Sequence, residues 1–203
     1  DEGYERVNIR FAENLLPLIG PADLVWVPAY PLLPLGRELR RRGVKNRIGF
    51  FLHIPWPARR VLSTLPRHNE LVESLFSYDL IGFQTGEDTE AFLDYAQHDA
   101  NAEVCEDGVV KAFGNRSRVK AFPIGIDAAD FAATLKSDKA EEYRKLMIKS
   151  QDGRKMILGV DRLDYSKGLE ERFSAYETLL DKYPDLHGEL FLLQIATRSR
   201  DSV

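Results

Sequence analysis

The chain has 203 residues, of which 44% are hydrophobic and 30% charged, and 28 Lys+Arg stand against 32 Asp+Glu for a net charge of −4. That balance excludes disordered and fibrous classes. It gives no support to a nucleic-acid-coating role, although a local cationic pocket stays open. The single cysteine, Cys105, cannot close an internal disulfide and fits a reducing cytosol. No run approaches the ~18 apolar residues of a membrane span. The opening Asp1-Glu2-Gly3-Tyr4-Glu5 is acidic, unlike a secretory signal. The expectation is a cytoplasmic protein without membrane or nucleic-acid partners.

In chain order, the first apolar run is Leu24-Val25-Trp26-Val27. A helix follows that ends in cations over Arg37 to Arg42 and stops at Gly43. The runs Ile48 to Leu52 and Leu80 to Phe83 come next, and both are continuous rather than alternating. Strands buried on both faces read this way, which predicts a parallel sheet covered by helices. From Asp127 to Lys155 no strand-like run occurs, and Asp138 to Ser150 is polar and strongly charged. This stretch is predicted to be a helical connection between two α/β lobes. A second strand-helix-strand unit then runs through Met156 to Val160, the helical spacing of Leu169, Phe173, Tyr176 and Leu180, and Leu190 to Leu193. Pro184 stops its helix. The alternation predicts α/β architecture with right-handed crossovers.

The stretch richest in chemistry is Gly159-Val160-Asp161-Arg162-Leu163-Asp164-Tyr165-Ser166-Lys167-Gly168, between a predicted strand and a helix. Ligands of open α/β sheets bind at the carboxyl ends of strands, and helix N-termini there suit phosphate. Arg162 and Lys167 would add two cations to that end. The same residues would equally satisfy one another as a salt-bridged loop, with Arg162 and Lys167 against Asp161 and Asp164. His53, in Leu52-His53-Ile54-Pro55-Trp56-Pro57, stands at the end of an apolar strand. It reads either as a group that contacts a substrate or as a core histidine satisfied by backbone. His68, His98 and His187 sit in polar contexts that suit the surface. Thr197-Arg198-Ser199-Arg200 follows the last strand, and its arginines suit a phosphate or carboxylate. Gly-x-Gly-x-x-Gly, Walker, Gly-x-Ser-x-Gly, His-x-x-x-His and Asp-x-Asp patterns are absent from the sequence. No metal or other cofactor is therefore expected.

Four blocks together resemble the trehalose-6-phosphate synthases, retaining glycosyltransferases of GT-B architecture. They are Trp26 to Arg40, Arg47 to Gln84, Phe122-Pro123-Ile124-Gly125-Ile126-Asp127, and Val160 through Gly168 on to Arg200. The resemblance implies two Rossmann-like lobes, with residues 1–153 the later part of the acceptor-side lobe plus its connection. Residues 154–203 would then open the nucleotide-sugar lobe, so that both lobes are incomplete. It implies UDP-glucose as donor and glucose 6-phosphate as acceptor, with homo-oligomerisation left open. Carried over by motif, Arg162 and Lys167 would bind the donor diphosphate and Arg200 the acceptor phosphate. His53 would contact the donor sugar rather than act as a nucleophile. The chain departs from the family at Trp26-Val27-Pro28-Ala29-Tyr30-Pro31, where the family reads Trp-x-His-Asp-Tyr-His. Ala29 occupies the position of the acceptor-binding Asp, which motivates a second reading, a non-catalytic sugar-phosphate-binding or regulatory lobe. Another GT-B enzyme, such as a glycogen synthase or phosphorylase, would share the cations alone.

Overall fold

The computed structural model describes residues 2–198. The chain divides into two compact units, Asp1–Gly125 and Ile126–Val203. The first unit opens with helix α1 (Glu2–Leu15), then strand β1 (Val25–Val27), α2 (Leu35–Arg41), β2 (Ile48–Leu52), α3 (Arg59–Leu62), α4 (His68–Leu75), β3 (Leu80–Phe83) and α5 (Gly86–Asp99). It closes with β4 (Glu103–Val104), β5 (Val109–Ala112) and β6 (Asn115–Ala121). The sheet order is β1-β2-β3-β6-β5-β4. Strands β1, β2, β3 and β6 are parallel neighbours, while β5 runs antiparallel to both β6 and β4.

The three apolar runs of this unit form three of its four parallel strands, and one of them, β2, is buried at every position. Leu80 apart, β3 is buried likewise. The edge strand β1 differs from expectation, because Trp26 stays 47% exposed on the sheet face opposite the core. Continuous hydrophobicity reports two-sided burial for a central strand; an edge strand has a neighbour on one side only. The core lies under the other face, where Phe50, Ile81, Phe83 and Val119 meet Leu39, Val72, Leu75 and Phe92 from the helices.

The hairpin β5–β6 carries no continuous apolar run. Its strand β6 alternates exposed and buried positions through Arg116, Ser117, Arg118, Val119 and Lys120, the period-two pattern of a half-solvated strand. The turn between them is Phe113-Gly114, both with positive φ (52° and 74°), as a two-residue hairpin of matching twist requires. The Phe113 ring rests 5.6 Å from that of Phe76.

Tyr78 ties three segments together from inside the core, being 1% exposed. Its hydroxyl donates to the Leu32 carbonyl at 2.9 Å and accepts from the Gly36 N–H at 2.9 Å. Burial pushes this phenol well above the usual tyrosine value, against the smaller opposing effect of the Gly36 bond. Tyr78→Phe is expected to lower unfolding stability by about 1–3 kcal/mol, because the buried Gly36 N–H loses its acceptor. Since the folded-state value is raised, the stability that the hydroxyl contributes is complete below pH ~10 and is lost as pH climbs through the folded-state value. Urea titrations of both proteins at neutral and alkaline pH should therefore converge on the alkaline side. A gap that persists would show that the hydroxyl does not carry the effect.

The second unit begins with the predicted helical connection, α6 (Ala128–Thr134) and α7 (Asp138–Gln151). Both are capped by their own side chains: Asp127 accepts from the Asp130 N–H at 3.0 Å and Ser137 from the Ala140 N–H at 3.2 Å. Then come β7 (Lys155–Leu163), α8 (Leu169–Lys182) and β8 (Leu190–Arg198). β7 and β8 pair in parallel from Lys155↔Leu190 to Leu163↔Arg198, a βαβ unit. Both-face burial does not hold here, for Leu158 is 53% and Val160 64% exposed. Among the described residues the sheet of this unit has two strands, with α8 between them in the chain, which leaves most strand side chains open. Among these residues, too, no helix is long and apolar enough to cross a membrane.

Candidate active site

The sequence-predicted residues of the first unit gather along one edge of its sheet. Because β1, β2, β3 and β6 are parallel, their carboxyl ends share that edge. Ala29 follows β1, His53 follows β2, Gln84 and Thr85 follow β3, and Phe122 to Gly125 follow β6. This is where open α/β sheets bind ligands.

His53 is exposed, so the core-histidine reading does not apply. Its ring sits edge-on to Phe51, with centroids 4.6 Å apart. The loop behind it is anchored by Trp56, 6% exposed and packed at 5.7 Å from Phe83 and 5.2 Å from Phe92. Its backbone N–H donates to Asp88 at 2.9 Å. Asp88 also closes a capping box with Thr85 at the start of α5. One buried carboxylate thereby fixes both the helix start after β3 and the loop after β2. Of the other histidines, His98 and His187 are exposed, whereas His68 is half-buried and hydrogen-bonds to the Tyr95 hydroxyl.

The segment after β1 is equally well held. Ala29, half-buried, has extended backbone (φ −137°, ψ 122°) and precedes a single 3₁₀ turn, Tyr30–Leu32. The Leu32 N–H donates to the Ala29 carbonyl at 2.9 Å. Asn8, fully buried, donates to the Tyr4 carbonyl at 3.0 Å and the Pro31 carbonyl at 3.1 Å. The Tyr4 hydroxyl reaches the Tyr30 carbonyl at 3.3 Å, and burial pushes its pKa up to about 12. A methyl group at position 29 offers no hydrogen-bond acceptor on this otherwise well-tied loop.

In the second unit, Arg162 lies near the carboxyl end of β7 and Lys167 ends the 3₁₀ turn Tyr165–Lys167 before α8. Both are exposed. The salt-bridged loop forms only in part. Asp161 is taken by Arg172 of α8 at 2.6 Å, and Arg172 also reaches Gln194 of β8 at 2.5 Å. Asp164 accepts from the Ser166 N–H at 2.9 Å and its hydroxyl at 2.8 Å. Arg162 approaches Asp164 only at 3.9 Å. Lys167 has no carboxylate within ion-pair reach among the described residues. The Ser166 bonds, first backbone and then side chain, hold Asp164 below the usual carboxylate range, and the nearby Arg162 and Lys167 charges add to this. Both cations thus gather about one turn. Gly168 precedes α8 in the left-handed region (φ 60°) without a capping side chain, so the first-turn N–H groups are left to solvent or a ligand. Arg200 lies outside the described residues.

Sequence reasoning passed over Asp88 and Arg172. The Thr85-x-x-Asp88 spacing is a legible capping signal; Arg172 carries none, since its partners come from two strands. Arg172→Met is expected to lower the stability of the second unit by about 1 kcal/mol, the partial exposure of both charges having been discounted. Amide hydrogen exchange should accelerate in β7 and α8 together, and unchanged protection would contradict the tie.

Parallel βαβ units with chemistry-bearing side chains at the carboxyl ends of their strands define an α/β protein of the Rossmann-like, ligand-binding class. The model of glycosyltransferase family 20 matches residues 1–203. Trehalose-6-phosphate synthase of Klebsiella pneumoniae is 48% identical over 202 residues, 100% of this chain and 42% of the relative. That of Sinorhizobium fredii is 43% identical over 201 residues, 99% of this chain and 43% of the relative. Among solved structures, an alpha,alpha-trehalose-phosphate synthase (UDP-forming) from Burkholderia xenovorans in complex with glucose-6-phosphate superposes with a TM-score of 0.87 at 46% identity. An E. coli protein bound with UDP-2-fluoro glucose gives 0.86 at 44% identity. Each of the two structures is matched by 100% of this chain over 45% of its own length. The chain belongs to glycosyltransferase family 20, its fold is of the GT-B α/β class, and it spans less than half the length of the relatives it matches.

Proposed function

We propose that the protein transfers a glucosyl unit from UDP-glucose to glucose 6-phosphate and gives trehalose 6-phosphate with retention at the sugar carbon. The observation that carries this reading is identity of 43–48% across essentially the whole chain to proteins named for that product. On this reading, residues 1–153 are the later part of the acceptor-side lobe with its connection, and residues 154–203 open the nucleotide-sugar lobe.

In the reaction, the bond from the anomeric carbon to the diphosphate breaks, a bond to an acceptor oxygen forms, and the acceptor hydroxyl loses its proton. Arg162 and Lys167 meet the charge growing on the departing diphosphate, with the open first turn of α8 behind them. Preorganised donors at such a position stabilise the transition state without reorganisation. His53 contacts the donor sugar from the β2 edge. Arg200 takes the acceptor phosphate, and position 29 faces the acceptor sugar. Charge neutralisation by these cations makes a metal ion unnecessary for leaving-group departure, and the lone Cys105 fits a reducing cytosol.

Protein expressed from the complete coding sequence should release UDP from UDP-glucose only when glucose 6-phosphate is supplied. Release driven by a polysaccharide acceptor instead, or none under any condition, would overturn the reading.

A further inference from the structure

On the sheet face opposite the core, two aromatic rings lie in overlapping steps. Trp26 of β1 leans over Gly49, its register partner on β2: a Cβ at Gly49 would come within 2.6 Å of the indole ring. Phe51 of β2 leans over Gly82, its register partner on β3. A Cβ there would come within 2.8 Å of Phe51 and 3.2 Å of Phe122. The Trp26 and Phe51 rings stack at 6.3 Å with 29° between planes. Phe51 is 8% exposed although it lies on this open face. Two residues on, past the end of the strand, the imidazole of His53 meets the Phe51 ring in an edge-type arrangement, with centroids 4.6 Å apart.

Glycine inside a strand weakens it, through backbone entropy and the lost side chain. Neither Gly49 nor Gly82 has the positive φ that would require glycine for conformational reasons. What both positions require is space above the backbone, and in each case a ring fills it. The two glycines therefore set the height at which the aromatic rings lie, and the last ring in the series is the one that His53 touches.

We infer that Phe51 is a positioning residue for His53, held at its height by Gly82 and braced by Trp26. The inference rests on the reading of His53 as a group that contacts the donor sugar, and it adds the device that aims it. Phe51 touches no reacting atom; it limits the imidazole to one approach along the carboxyl edge of β2. A bulkier floor at position 82 lifts the ring and turns His53 with it, while an aliphatic side chain at position 51 removes the ring.

The first test uses imidazole proton resonances of the 203-residue chain, with His53→Gln identifying the His53 signals. Phe51→Leu and Gly82→Ala should each shift those signals and leave those of His98 and His187 in place, whereas Phe51→Tyr should retain them. In protein expressed from the complete coding sequence, Phe51→Leu and Gly82→Ala should lower kcat about 10- to 100-fold, as displacement of a catalytic group by ~1 Å does. UDP affinity should stay unchanged and Phe51→Tyr should recover the rate, which a loss of general packing would not produce. Unmoved His53 signals in both variants overturn the proposal. So does normal kcat in both variants when His53→Gln is impaired, an outcome that spares the reading of His53. Normal kcat in His53→Gln instead removes the site reading, and the proposal with it.

Discussion

Arg162→Ala and Lys167→Ala are each expected to lower kcat/KM of the full-length protein by roughly 10²-fold, the effect of removing one preorganised donor from a charged transition state. The geometry explains why the two cations are at most weakly neutralised. Asp161, the nearest acid in sequence to Arg162, is bound to Arg172 at 2.6 Å. Asp164 is occupied by Ser166, and Arg162 reaches it only at 3.9 Å with its own side chain 57% exposed. An exposed pair at that distance contributes little to stability, so alanine at either position should leave the fold intact while it removes charge from the turn. The loss should fall on kcat as well as on KM, because charge on the diphosphate grows as the sugar bond breaks. Arg162→Lys should recover only part of the rate, since an ammonium keeps the charge but not the planar fork. Steady-state kinetics at several UDP-glucose concentrations decide the matter; unaltered kinetics in either alanine variant would remove that residue from the donor site.

The second large effect is a gain. In the full-length protein, the combined replacement Pro28→His, Ala29→Asp and Pro31→His is expected to raise transfer by at least ~2 kcal/mol of transition-state stabilisation, about 30-fold. On the proposed reading, a carboxylate at position 29 would accept hydrogen bonds from acceptor hydroxyls and hold the attacking oxygen against the donor carbon, and such positioning is a large share of the advantage in a bimolecular transfer. The loop can take the change. Ala29 has ordinary extended backbone, and the bonds that tie the segment down use the carbonyls of Ala29, Tyr30, Pro31 and Leu32 rather than side chains at the replaced positions. The path of the chain should therefore persist. The replacements also return two backbone N–H groups that proline lacks. UDP affinity, assigned to Arg162 and Lys167 in the proposed function, should not move. Equal transfer rates for the two proteins, measured side by side, would show that this segment does not position the acceptor.

The sequence alone determined the elements whose stability is local or one-dimensional. Ile48 to Leu52 and Leu80 to Phe83 are continuous apolar runs because central parallel strands are buried on both faces, and they form β2 and β3. The polar stretch from Asp138 to Ser150 forms α7, because Ser137 caps it and its residues need no buried face. His53, Arg162 and Lys167 were legible as candidates because a strand followed by a turn is a recognisable place, whatever the strand packs against. The tertiary structure decided what depends on partners far along the chain. The hairpin β5–β6 escaped notice because a half-solvated strand such as Arg116-Ser117-Arg118-Val119-Lys120 shows alternation rather than a run. Charge spacing suggested that Asp161 and Asp164 would neutralise Arg162 and Lys167. The fold instead brings Arg172 to Asp161 from α8 and turns Ser166 onto Asp164, because opposite charges pair according to where packing holds their backbones, not according to their separation in sequence. The same holds for Gly49 and Gly82. In the sequence they are two glycines inside strands; only the register that lays Trp26 over one and Phe51 over the other gives them a purpose.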